Sequence, residues 1–156
     1  METLSSTKTN HSQKIADELA HFLADTYVLY LKTQNFHWNV TGPQFPSLHL
    51  LFEKQYQELA EATDEIAERI RALGCFAPAS FAAFSKLTSL KEAPNNLSAE
   101  DMLRKLYKDH ETIAHYLQSM MAKVQKAQDE ATFDLLVERL RSHEKMAWML
   151  KSSLLK

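Results

Sequence analysis

Glycine is almost missing from this 156-residue chain: only Gly42 and Gly74 occur, where average usage of roughly 7% would supply about eleven. Four prolines, at positions 43, 46, 78 and 94, are the other strong punctuation. So few permissive residues cannot support many tight turns, which all but excludes sandwiches and barrels. The same two glycines rule out the Rossmann and Walker-A phosphate-cradling fingerprints, each of which needs closely spaced glycines. Cysteine is reduced to Cys75, so no internal disulfide forms and a reducing compartment is expected. Long apolar runs are lacking too. The most apolar stretch, Cys75 to Phe84, is broken by Pro78 and Ser80, and the opening METLSSTKTNHSQ has neither an apolar core nor a cleavage pattern. These features predict a soluble, cytoplasmic protein without a membrane partner. Lys+Arg 18 against Asp+Glu 20 gives a formal charge of -2, which argues against a dedicated polyanion-binding surface but leaves room for local patches.

What is present is helical periodicity. Residues 1–12 are polar, lack a repeat and read as a mobile tail, and residues 13–156 read as one domain. From Ile15, apolar positions recur at three- and four-residue steps through Leu19, Phe22, Leu23, Leu29 and Tyr30, predicting a first helix that ends near Val40. Gly42, Pro43 and Pro46 stop it, and Ser47 is placed to cap the next helix. That second helix is predicted over about Leu48 to Leu73, uninterrupted, with Gly74 just beyond its end. Residues 75–97 form a long connection, with Phe81 and Phe84 on one short helix. A third long helix opens at Ser98 and runs to about Lys126, and a fourth spans about Ala131 to Leu155. The expected fold is all-α: a four-helix bundle with a short extra helix in its long central connection, an architecture that cytokine-like and adaptor bundles share on periodicity alone.

Function therefore has to be read from side chains. Di-iron bundles carry two Glu-x-x-His elements on separate helices, whereas this chain has one, Glu18 with His21, which reads as a solvated face. A second cluster is more informative. His37 closes the first helix, His49 and Glu53 share a face at the start of the second, and Asp64 and Glu68 share a face near its end. Imidazole with carboxylate is a ligand set for iron or zinc. Asp64 follows His49 by fifteen residues, which on an unbroken helix is about 22 Å of rise, against a metal–ligand bond of roughly 2 Å. The two ends cannot hold one ion within one chain. Their angular offset is only about 60°, so two copies of the helix packed antiparallel across a two-fold axis would bring His49 of one chain to Asp64 and Glu68 of the other, twice by symmetry.

Three ordered segments carry a resemblance: Asn35-Phe36-His37-Trp38-Asn39-Val40-Thr41-Gly42, then Phe45-x-x-Leu48-His49-x-x-Phe52-Glu53, then Asp64-Glu65-Ile66-Ala67-Glu68-Arg69-Ile70. They closely resemble the Dps family, DNA-binding proteins from starved cells, which are small relatives of ferritin. The resemblance covers nearly the whole chain. It implies a ferritin-like bundle assembled as a homo-dodecameric shell, with a ferroxidase site at each two-fold interface where iron(II) is oxidised, preferably by hydrogen peroxide, and ferric mineral stored inside. Two ions are implied per site, and the same ligands accept zinc as a substitute. By motif position His37 and His49 pair with Asp64 and Glu68 of a neighbour. Glu53 stands where many members have aspartate, so it reaches a second ion or only hydrogen-bonds another ligand. Trp38 resembles the family tryptophan that intercepts oxidising equivalents beside the iron. Two iron(II) ions can give both electrons to one peroxide and so yield water rather than hydroxyl radical.

The same resemblance implies that Asp129, Glu130 and Asp134 line an iron-entry pore at a three-fold axis, where three copies would concentrate cations; the plain alternative is that they complement a helix dipole. His110, Glu111, His115, His143 and Glu144 match no family ligand position and are expected to serve surface or interface packing. DNA is the least supported partner. The first twelve residues hold Lys8 alone, and a shell of twelve such chains carries about -24 charges, which repels phosphate. The leading expectation is an iron-storing, peroxide-consuming ferroxidase that protects DNA from oxidative damage in the cytoplasm, with the nucleoid as a second location. The alternatives are a nucleoid-compacting DNA-binding protein whose iron oxidation is secondary, and a metal-free interaction module.

Overall fold

A computed structural model describes residues 2–155, with side chains described from Asn10 onward. Among these residues there are five α-helices and no strand: α1 Glu2–Asn39, α2 Phe45–Ala72, α3 Phe81–Leu87, α4 Ala99–Lys126 and α5 Glu130–Ser152. Helix α1 packs on α2 and α4, and α5 packs on α4 and α2, which closes the four long helices into a bundle; α3 lies against α1. The short helix falls where the sequence places it, begun by Ser80, whose side chain accepts from the Ala83 N–H at 3.2 Å. No described helix is long and apolar enough to cross a membrane.

The core is a register of helical stripes. Leu19, Phe22 and Leu29 of α1 meet Phe52, Leu59 and Ile66 of α2, with Leu106, Ile113 and Leu117 of α4 and Leu136 and Leu150 of α5, all fully buried. Helix boundaries differ from expectation in two places. Backbone helix runs back to Glu2, through the stretch read from sequence as a tail, because nothing in residues 2–12 is a glycine or proline and an established helix propagates cheaply. Helix α2 starts three residues early, at Phe45, with Gln44 as its cap residue and no side-chain cap bond. Pro46 sits in the first turn, where its missing N–H costs nothing, and the Ser47 hydroxyl donates to the Gln44 carbonyl at 3.0 Å instead of capping.

Gly42 (φ +108°) and Gly74 (φ +89°) both occupy the left-handed region with open space around them, so it is the dihedral and not crowding that requires glycine. The turn between α4 and α5 has no glycine and places Gln128 at φ 59° instead.

One buried ion pair ties α1 to α4. The Lys32 ammonium donates to Asp109 at 2.7 Å, with side chains 6% and 14% exposed. Burial raises the Asp109 carboxyl above its ordinary value, and Lys32 only partly offsets this. Replacing Lys32 with Met leaves that carboxyl buried and unpaired, which is expected to cost about 3–5 kcal/mol. A Lys32→Met/Asp109→Leu pair recovers most of the loss in a urea unfolding series, because neither charge then remains.

Candidate metal centre

The end of α1 and the start of α2 are joined by five residues, 40–44, which turn at Gly42, where the Phe45 N–H donates to the Gly42 carbonyl at 3.0 Å. This brings His37 against His49. Their rings stack with centroids 3.9 Å apart and planes 12° from parallel. The hydrogen bonding is reciprocal: His37 Nδ1 donates to the His49 carbonyl and His49 Nδ1 donates to the His37 carbonyl, each at 2.7 Å. A carbonyl oxygen can only accept, so both Nδ1 atoms carry the proton and both Nε2 atoms are left with a free lone pair. The His37 carbonyl belongs to the last turn of α1, where carbonyls lack a helical partner, and the His49 ring supplies one. An imidazole whose Nδ1–H is anchored on a backbone carbonyl is fixed in the tautomer and orientation used by metal-ligating histidines.

Aromatic rings enclose the pair. Phe45 stacks on His49 with centroids 5.0 Å apart, and Tyr56 presents its edge to His37 at 5.1 Å. His37 is 7% exposed, whereas the adjoining Trp38 is 62% exposed. Glu53, one turn beyond His49, is half-buried and has no hydrogen-bond partner among the described residues. Asp64 and Glu68 lie exposed toward the other end of α2, likewise without a side-chain partner there. Among the described residues no three His, Cys, Asp or Glu side chains of one chain converge on a point that could hold a metal ion.

The remaining predicted residues divide. Asp129 is the cap residue of α5: it accepts from the Thr132 N–H at 3.0 Å and pairs with Arg69 at 3.0 Å. Glu130 and Asp134 are exposed in the first turn and a half of α5. Glu18 accepts from Tyr116 and from Lys123, the latter at 2.7 Å, and His21 Nδ1 meets the Leu87 carbonyl at 2.9 Å, so this pair joins helices rather than clamping an ion.

His110 and His143 correct the expectation of surface or interface packing. Both are fully buried in the bundle core, with Nδ1 atoms 2.8 Å apart. Arg139, which pairs with Glu58, donates to His143 Nε2 at 3.4 Å. His143 therefore carries its proton on Nδ1 and donates to His110 Nδ1, which puts the His110 proton on Nε2, a buried atom without a partner. Burial pushes His110 down to about 3, with Arg139 adding to the effect, and holds His143 well below the ordinary histidine value, helped by His110 and Arg139. The signal was in the spacing: His110 falls on the stripe of Leu103, Leu106, Ile113, Leu117 and Met120, so it had to be core.

The bundle, with a short helix between its second and third long helices and an imidazole pair at one helix turn, defines a ferritin-like protein. The family described as a ferritin-like domain matches residues 16–156. The chain is 40% identical to DNA protection during starvation protein 2 of Bacillus anthracis, over 92% of this chain and 98% of that one. It is 41% identical to a low temperature-induced protein of Nostoc, over 90% of this chain and 79% of that one. The crystal structure of the Dps protein from Vibrio cholerae O1, described as a member of a broad superfamily of ferritin-like diiron-carboxylate proteins, superimposes with a TM-score of 0.89 at 32% identity, covering 92% of this chain and 91% of that one. The chain belongs to the Dps family of ferritin-like proteins.

Proposed function

We propose that the protein is a Dps-type ferroxidase that takes iron(II) and hydrogen peroxide as substrates at sites shared between two subunits, stores the ferric product inside a dodecameric shell and thereby protects DNA. The observation that carries this reading is the reciprocal bonding of His37 and His49, which leaves an Nε2 lone pair on each of two stacked rings while the carboxylates of Asp64 and Glu68 stand free about 22 and 28 Å along the same helix from His49. Two ends of one helix that cannot serve one ion serve two ions when the helix meets its copy antiparallel. Trp38, Phe45 and Leu50 adjoin the histidines and are exposed large apolar side chains, which suits burial by a second copy.

In this reading His37 and His49 hold iron(II) with Asp64 and Glu68 of the partner subunit. Glu53 reaches a second ion or hydrogen-bonds another ligand, and Trp38 stands beside the site, where it intercepts oxidising equivalents that escape it. Imidazole and carboxylate bind iron(II) and favour the ferric product, and few protein ligands per ion let that product leave for the cavity. Zinc occupies the same ligands in competition. Glu130 and Asp134 remain candidates for a three-fold cation entrance; Asp129 serves it less directly, because its carboxylate is already spent on Arg69 and the α5 cap. The relatives named for DNA protection and the Vibrio protein's diiron-carboxylate superfamily support the assignment, and a cytoplasmic site of action follows from it. Direct DNA contact is disfavoured by the net charge.

The test is iron(II) oxidation by peroxide, followed optically under anaerobic conditions, in the wild type and in His49→Ala/Asp64→Ala. The double variant is expected to lose rapid oxidation while keeping its helical content. Unchanged turnover would remove the site assigned here.

A further inference from the structure

Helices α1 and α2 carry a line of oxidisable rings that starts at the histidine pair and runs away from it. Tyr56 meets the ring of His37 edge-on at 5.1 Å, Tyr30 meets Tyr56 at 6.0 Å, and Tyr27 meets Tyr30 at 5.7 Å, all as centroid separations. Beyond Tyr27 the line ends in Phe84, stacked at 4.9 Å, which is not readily oxidised. Tyr56 lies seven residues after His49 and eight before Asp64. Tyr27 and Asp64 line the same groove, together with Ala60, Thr63 and Ala67. The ladder thus runs alongside α2 from its imidazole end to the groove that Asp64 lines.

We infer that Tyr56, Tyr30 and Tyr27 form an electron-transfer path joining the two iron sites of one two-fold interface. The inference rests on the ferroxidase reading above: if Asp64 and Glu68 complete the partner's site, the two ends of the ladder stand at two different iron sites. Its use arises when each site holds a single iron(II). Peroxide then takes one electron from the local iron and the second from Tyr56, whose phenol proton leaves with it. Tyr56 is refilled through Tyr30 and Tyr27 by the iron(II) of the other site, and its proton returns from solvent, which all three half-buried tyrosines adjoin. In sum one peroxide, two protons and two iron(II) give two waters and two iron(III), and the tyrosines end unchanged. Tunnelling falls steeply with distance, so three short steps between rings outrun one step along the whole helix.

Tyr30→Phe tests this with little structural disturbance. The hydroxyl it removes only accepts from Gln34 at 3.4 Å, and the ring contacts with Tyr27 and Tyr56 remain. The full-length assembled protein is loaded without oxygen at one iron(II) per site, mixed with limiting peroxide, and sampled by freeze-quench electron paramagnetic resonance alongside a measurement of iron oxidised per peroxide. Tyr30→Phe is expected to halve the iron oxidised per peroxide and to hold a tyrosyl signal long after the wild-type signal has gone; adding Tyr56→Phe abolishes that signal and raises hydroxyl-radical adducts in a spin trap. If Tyr30→Phe keeps wild-type stoichiometry and radical lifetime, the ladder is overturned while the iron oxidised in the same samples leaves the ferroxidase reading standing. If the wild type oxidises no iron, the ferroxidase reading fails and the ladder with it.

Discussion

Mixed assemblies of His49→Ala and Asp64→Ala subunits are expected to regain about a quarter of wild-type iron oxidation, although neither variant alone shows rapid turnover. The arithmetic follows from a two-fold interface with two sites. In a His49→Ala homo-assembly every site lacks one of its two imidazoles, and in an Asp64→Ala homo-assembly every site lacks one of its two carboxylates. Where one subunit of each kind meets, both lesions fall in the same site and the other site is intact. Random mixing in equal amounts makes about half the interfaces of this kind, each with one working site out of two, hence about one quarter. A site built within one chain predicts no recovery at any mixing ratio. Co-expression with two different affinity tags and sequential purification gives the mixed species, and initial rates of iron(II) oxidation give the answer. Recovery also shows that each variant subunit folds and assembles, which a simple loss of activity cannot.

Much of the fold was legible in the sequence. Two glycines and four prolines leave few places for helices to stop, and both glycines sit at left-handed positions just past helix ends. The length of uninterrupted chain between them is what separates His49 from Asp64. The closeness of His37 and His49 was legible as well, since a turn of five residues leaves the flanking helix ends nowhere else to go. Their reciprocal hydrogen bonds were not, because they depend on ring orientations and on which carbonyls a helix end leaves without partners. The tyrosine ladder was hidden for a related reason: Tyr27 and Tyr30 share a face of α1 by spacing alone, but their alignment with Tyr56 depends on the rotation of α2 against α1, which periodicity does not fix. The start of α2 was misplaced because a proline inside a helix's first turn looks, in sequence, like a proline that ends a loop. His110 and His143 stood on apolar stripes of α4 and α5, and reading them by residue type rather than by position put them at the surface or an interface.

That buried histidine pair sets the second large expectation, an acid-labile bundle. The sign follows from where protons bind. In the unfolded chain each histidine titrates near 6.5, whereas in the fold His110 titrates at about 3 and His143 stays well below its ordinary value. Between these limits the unfolded state holds more protons, so stability is complete above about pH 6.5 and falls as the pH is lowered, by up to about 1.4 kcal/mol per pH unit for each histidine. Going from pH 7 to pH 5 should therefore cost roughly 2 kcal/mol per chain through His110 alone, with His143 adding to the loss in the same direction. The fold offers the incoming proton little relief. His110 Nε2 has no acceptor, Phe22 presents its ring to His143 at 6.2 Å, and the nearest charge, Arg139, is of the same sign and already engaged by Glu58. Glu18 acts in a separate window: burial raises its carboxyl, but hydrogen bonds from Lys123 and Tyr116 outweigh this and hold it below 4.5, so its contribution is lost only as the pH falls through that lowered value. Urea unfolding at fixed protein concentration, between pH 7 and 5, resolves the histidine term. The double variant His110→Leu/His143→Phe removes both titrating groups and is expected to flatten the dependence in that range. An unchanged slope would mean that the acid response comes from other groups, and that the core pair protonates in the folded state without penalty.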